Sequence, residues 1–275
     1  MSRLVFDIET NGLLPELTTI HCIAIRDLGE CDRRVQAMKT YRPQEIEDAL
    51  ERLESADEII GHNVIGFDIP AIQKLYPDWQ PKGKVTDTLV LSRLIKADLM
   101  TDDSMRVTQP EGFLKRFYGS HSLAAWGMRL GNNKGDYDGG WETFNEDMLQ
   151  YMIQDVNVTC DLLKLLELDN DFSQRSIDLE HDLAEICFRI GNNGWTFDLE
   201  KAGDLYGVLS QKRLDLETSL ATLFEPWEIR TPFTPKVNNK ARGYEKGVTV
   251  DKVVVVHFNP NSRQHIARCL IEKYK

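Results

Sequence analysis

At 275 residues with 41% apolar composition, the chain has material for one large domain or two smaller ones with a packed core. A formal net charge of −11 excludes a protein that coats nucleic acid by bulk attraction, which needs a basic surface. MSRLVFDIET carries no basic-then-apolar leader and no apolar run reaches membrane-spanning length, so no membrane association and a cytoplasmic location are expected.

LVFDIE, HCIAIRDLG and VQAMKTYR are β-branched or alternating runs separated by turn-formers, the pattern of three sequential strands. IEDALERLESAD then predicts an amphipathic helix, EIIGHNV a short buried strand, and FDIPAIQKLYP a helix ended by Pro77. TDTLVLSRLI, SHSLAAWGMRLG and a long NEDMLQYMIQDVNVTCDLLKLLELD follow as helices. The last carries one apolar stripe of Met148, Met152, Val156, Thr159, Leu163 and Leu166, with Asn145 as its N-cap. Two more helices, SIDLEHDLAEICFRIGNNG and DLEKAGDLYGVLSQKRLDLETSLATLFE, are expected to stop at Gly191 or Gly194 and near Pro226. Periodicity is lost from Pro226 to Val250, which reads as a loop or arm, and VVVVHFNPNSRQHIARCLIEKYK closes with a strand and a capped helix. The reading is an α/β mixed sheet flanked by helices over residues 1–170, then a mainly helical extension, 171–275.

Charge is distributed unevenly along this order. From Lys236 to Lys275 nine Lys/Arg against three Asp/Glu give +6, leaving −17 on residues 1–235. A basic arm bearing Lys236, Lys240, Arg242 and Lys246 therefore follows an acidic body. It either supplies phosphate contacts or is a solvated linker. The five cysteines form no C-x-x-C pair and read as reduced, mostly core thiols.

Asp7 and Glu9 interrupt the apolar first strand. A D/E-x-D/E triplet arises about seven times by chance at this acid content, and DLE recurs at 178, 198 and 215. Those three fall in or at the start of helices, where residues two apart do not share a face. On a strand they do, so only Asp7 and Glu9 can act together; the alternative is a solvated strand face. Asp68 reads equally as an N-cap or a ligand, and the GHN turn before it aims Asn63 and Asp68 out of the sheet edge; His62 reads as a satisfied histidine near that turn. Tyr151 and Asp155, four apart on the long helix, share a face. If Asp7, Glu9, Asp68 and Asp155 converge, they resist ionisation unless cations are present, and hard oxygen ligands call for Mg²⁺ or Mn²⁺. Two such ions suit phosphodiester hydrolysis, with Asp7 bridging both, Glu9 and Asp155 completing one site, Asp68 supporting the other through water and the Tyr151 hydroxyl orienting the attacking water.

Asp7-Ile8-Glu9-Thr10, Asn63-x3-Phe67-Asp68 and Tyr151-x3-Asp155 resemble the three motifs of DEDD 3′→5′ proofreading exonucleases of the tyrosine subgroup. DTLVLSRLI, GSHSLAAWGMRLG and FNEDMLQYMIQDV are similar to the exonuclease domain of the family A DNA polymerase of short-tailed phages, and a weaker likeness runs to FNPNSRQHI. The resemblance implies a ribonuclease H-like fold for residues 1–170 and removal of mismatched nucleotides from single-stranded DNA 3′ ends, in the host-cell cytoplasm if the chain is viral. It also implies that Leu13 packs on the terminal base and that Thr10 and Asn63 line the site. For Leu13 the alternative is a loop leucine closing the core. No palm carboxylates follow, so no polymerase activity is expected from these residues alone; a separate polymerase chain is an expected partner, or the sequence is a truncated product. The rival readings are a DEDD exoribonuclease trimming RNA 3′ ends and a non-catalytic polymerase-docking domain.

Overall fold

β1 (Arg3–Thr10) buries Leu4, Phe6 and Ile8 on one face and Val5 on the other, and this alternation makes it the middle of a sheet with two cores. The computed structural model describes residues 1–29, 38–105, 113–133, 135 and 137–274. In chain order the first part runs β1, β2 (Ile20–Asp27), β3 (Met38–Tyr41), α1 (Ile46–Glu54), β4 (Glu58–Gly61), α2 (Asp68–Leu75), β5 (Lys84–Asp87), α3 (Thr88–Ile95), α4 (Leu99–Met105), α5 (Leu123–Leu130), α6 (Glu146–Leu168) and α7 (Gln174–Asn193). The strand order is β3-β2-β1-β4-β5. The pairs β3-β2 and β2-β1 are antiparallel, whereas β1-β4 and β4-β5 are parallel. The expected mixed sheet flanked by helices is therefore present. Residues 35–37 of the predicted third strand and Cys31 lie outside the described residues.

β4 pairs with β1 only from Arg3 to Val5, so the Asp7–Glu9 half of β1 projects beyond the ends of the parallel strands. A bulge between Glu9 and Thr10 shifts the register of the pairing with β2 beside it. On one face α1 and α2 cover Leu4, Phe6 and Ile8, with Trp79 donating its indole N–H to the Leu50 carbonyl at 3.0 Å. On the other, the predicted α6 stripe packs on Val5, Ala24 and Ile60. Asn145 caps α6 as expected, its side chain accepting from the Met148 amide at 2.8 Å.

Three local expectations change. β5 stands where a helix was expected to begin, because Asp87 caps α3 by accepting from the Leu89 amide. Asp68 is the first helical residue of α2 rather than its cap, which is Phe67. α7 passes through Gly191 and stops at Gly194, whose φ of +66° suits glycine.

The chain divides into two compact units, Met1–Gly194 and Trp195–Lys275, so α7 falls within the first unit rather than after a boundary at residue 170. The anchor is physical: Ile177 and His181 of α7 are buried, and His181 Nε2 accepts the Asp87 amide at 2.9 Å while Nδ1–H donates to the Ile177 carbonyl. The second unit holds α8 (Leu199–Leu223), β6 (Trp227–Phe233), β7 (Val250–Val256) and α9 (Arg263–Tyr274). β6 and β7 form an antiparallel ladder, so the expected loop from Pro226 begins as a strand. Pro232 is tolerated because a two-stranded sheet leaves each strand an open edge. Trp227 packs against His265 and Arg268 of α9.

Arg129 of α5 is buried against Asp103 of α4, with Nη2 and Nε at 2.6 and 3.1 Å, and also donates to the Phe117 and Ser120 carbonyls. Truncating Arg129 removes two charge-assisted hydrogen bonds from buried Asp103. Arg129→Met is expected to lower the unfolding free energy by about 3 to 5 kcal/mol in urea titrations, and a loss under about 1 kcal/mol would contradict this role.

Candidate active site

Carboxylate oxygens of Asp7, Glu9 and Asp155 lie within 4.8 Å of one another. β1 presents the first two on the face that α6 covers, and α6 brings Asp155 down onto them; Glu9 and Asp155 are buried. At that spacing each pair of unit charges repels by about 3 to 4 kcal/mol at an effective dielectric constant of about 20.

Asp68 is buried at the start of α2, and among the described residues its Oδ1 has no hydrogen-bond partner. Burial, then the charges of Asp87 and Asp155, push its carboxyl up to about 7, while its own backbone amide and that of Ile8 pull the other way. Asp68 thus reaches the strand between Asp7 and Glu9 without belonging to the close triad. Behind the pair, burial and the charges of Glu9 and Asp7 hold the Cys22 thiol protonated. Such a donor set fits a hard divalent cation: clustered carboxylate oxygens, one of them an unsatisfied buried acceptor.

Asp87 organises the turn that carries Asn63 and Asp68. Its carboxylate accepts from the amides of Asn63, Ile65 and Leu89 at 2.8, 3.1 and 2.9 Å. Burial nevertheless raises its pKa. Asn63 sits at φ +68°, a left-handed conformation that asparagine tolerates, with its side chain exposed. His62 hydrogen-bonds Thr88 at 2.9 Å, the satisfied histidine expected.

Tyr151 stands one turn before Asp155, against a pair of mutually packed aromatic rings that were not anticipated. Tyr137 and Trp141 lie 5.8 and 6.2 Å from its ring centroid. Buried His21 of β2 fixes this loop by donating Nε2–H to the Trp141 carbonyl at 2.9 Å. Nothing local in the YDGGW string links it to His21, 120 residues earlier.

The remaining predicted residues are scattered. Thr10 is buried and donates its hydroxyl to the Gly12 carbonyl at 2.8 Å; Leu13 is 71% exposed, so it does not close the core. Lys236, Lys240, Arg242 and Lys246 are exposed on the connection between β6 and β7. Asp7, Asn63 and Asp155 line an open cleft of about 820 Å³ with His62, Leu89, Arg93 and residues 119–123.

Residues 4–126 match the family model described as the RNase_H superfamily, and the sheet-bearing part has a ribonuclease H-like fold; Tyr151 and Asp155 lie beyond the matched span. The chain is also homologous to the DNA-directed DNA polymerases of Escherichia phage T7 and Enterobacteria phage T3, at 31% identity over 98% of its length. It spans about half, 49%, of the length of those relatives. Among solved structures, Brucella melitensis NrnC bound to pGG superposes with a TM-score of 0.43 and 18% identity, covering 68% of this chain and 79% of that one. No helix of the described residues is long and apolar enough to cross a membrane.

A group whose folded pKa is raised contributes stability that is lost as pH rises toward the folded value. Thermal melts of the metal-free protein should therefore fall as pH rises from about 4 to about 7, with a cost of a few kcal/mol assigned to Asp68. Asp68→Asn should flatten that dependence and raise the melting temperature at pH 8; an unchanged profile would show that Asp68 is not under this constraint.

Proposed function

We propose that this chain is a divalent-metal-dependent 3′→5′ exonuclease that hydrolyses the terminal phosphodiester of single-stranded or mismatched DNA 3′ ends, as the proofreading part of a phage-type DNA polymerase. The observation that carries the reading is the Asp7, Glu9 and Asp155 cluster at the projecting end of the central strand of a ribonuclease H-like sheet.

Two Mg²⁺ or Mn²⁺ ions are proposed, held by Asp7, Glu9 and Asp155 with Asp68 beside them. Bound there, they would neutralise phosphate charge and lower the pKa of the attacking water. The protein's own part is geometric. Asp7 and Glu9 sit on a strand paired along one edge with β2, so they move little as substrate binds. The Tyr151 hydroxyl orients the attacking water; the packing of its ring against the Tyr137–Trp141 pair supports that role. Leu13 offers an exposed apolar side chain to the terminal base, and Thr10 and Asn63 shape the turns on either side of the site. The basic connection after β6 contributes phosphate contacts.

The polymerase association rests on the homology and on α7, which exposes Leu179, Leu183, Ile186 and Ile190 at the spacing of one helix face. A polymerase module, in a separate chain or in a longer form of this one, covers that stripe.

Asp7→Ala should abolish Mg²⁺-dependent degradation of a 3′-labelled single strand while circular dichroism stays unchanged. Wild-type chain inactive with both Mg²⁺ and Mn²⁺ would refute the enzyme reading. Tyr151→Phe should lower kcat roughly tenfold or more with KM little changed, which separates water orientation from substrate binding. Reversing charge at Lys236, Lys240, Arg242 and Lys246 should flatten the salt dependence of oligonucleotide binding, and an unaltered slope would reduce the segment to a linker.

A further inference from the structure

The acids account for part of the cleft lining, and another part has a different character. Leu89 and Arg93, four residues apart on α3, line it together with Gly119, Ser120, His121, Ser122 and Leu123. A DNA strand entering the cleft brings several phosphates, of which the metal-bound carboxylates can serve only the one being cleaved. The others need cationic or hydrogen-bonding partners.

Among the described residues lining the cleft, Arg93 is the one guanidinium or ammonium group. It is exposed and forms no ion pair among the described residues. Arg129, close enough to influence the same histidine, is spoken for by Asp103 and two carbonyls. His121 adds little charge, since burial and then the two arginines lower its pKa. Its hydrogen bonds are assignable: Ser92 donates its hydroxyl to the Leu89 carbonyl at 3.0 Å and therefore accepts from His121 Nδ1–H at 3.0 Å. The ring is thereby fixed as a neutral wall beside Arg93. The base of Arg93 is also rigid, because α3 is capped by Asp87 and its Leu91 and Ser92 are buried. Ser122 caps α5 on the same wall, and the partial positive charge of that helix start adds to the field.

We propose that Arg93 is a substrate-positioning residue that binds an internucleotide phosphate upstream of the scissile one, so that the enzyme favours a polynucleotide 3′ end over an isolated phosphodiester. This rests on the exonuclease reading and deepens it. The guanidinium fork suits two phosphate oxygens at once, which a lysine ammonium meets only as a point charge.

The test compares full-length wild type, Arg93→Gln and Arg93→Lys on two substrates: a 3′-labelled single-stranded oligonucleotide, and the p-nitrophenyl ester of thymidine 5′-phosphate, which has no upstream phosphate. Arg93→Gln is expected to lose roughly five- to tenfold in kcat/KM on the oligonucleotide, mainly through KM, and less than about twofold on the ester. The log–log salt slope of oligonucleotide binding should fall by roughly 0.7, and Arg93→Lys should recover part of both. Equal losses on the two substrates would overturn the assignment in favour of a role at the scissile phosphate or in the fold. Unchanged oligonucleotide KM and salt slope with an active wild type would overturn it as well. Wild type inactive on both substrates overturns instead the exonuclease reading beneath it.

Discussion

Mutual repulsion among carboxylates is the constraint that the rest of the first unit accommodates. Asp7, Glu9 and Asp155 are held within 4.8 Å, with Asp68 buried nearby and pushed up to about 7. An apolar core would be more stable in the same place, since burial and like charge both disfavour the ionised state. The strain is tolerated because the acids come from elements fixed by unrelated interactions: a central strand with apolar residues on both faces, and a helix whose buried stripe runs for about five turns from Met148 to Leu166. A cation of sufficient charge turns the repulsion into binding energy.

A second tier of buried polar groups holds the rim of the site. Asp87 gathers three backbone amides, and through its own amide it leans on His181, so α7 is tied to the turn that presents Asn63 and Asp68. The Asp103–Arg129 pair does the equivalent for the opposite rim: Asp103 accepts the Gly119 amide, and Arg129 takes the Phe117 and Ser120 carbonyls. His21 secures the aromatic loop around Tyr151. Each anchor is a satisfied or paired polar group, which gives a defined geometry where an apolar contact alone would allow sliding.

The sequence made the sheet and its acids legible for a simple reason. Period-two burial in β1 and the α6 stripe are both local patterns, and Asp7, Glu9 and Asp155 inherit their positions from them. What could not be read depends on partners far along the chain. β5 is four residues long and exists by pairing with β4, and the role of Asp87 depends on the amides of residues 63 and 65, more than twenty positions earlier. In β6 a signal was present: Trp227, Ile229 and Phe233 alternate with Glu228, Arg230 and Pro232, but the proline argued for a loop. Arg93 sat inside a string read as a helix and for its resemblance, and its exposure at the cleft appears once α3 and residues 119–123 are brought together.

The central claim is that these carboxylates form a divalent-metal site that does the chemistry. Anomalous diffraction from crystals soaked in Mn²⁺ tests it most directly. Manganese peaks are expected on Asp7, Glu9 and Asp155, with a second peak on the Asp68 side of Asp7. Manganese bound elsewhere, or a cluster that stays without metal at millimolar Mn²⁺ near pH 8, would contradict it.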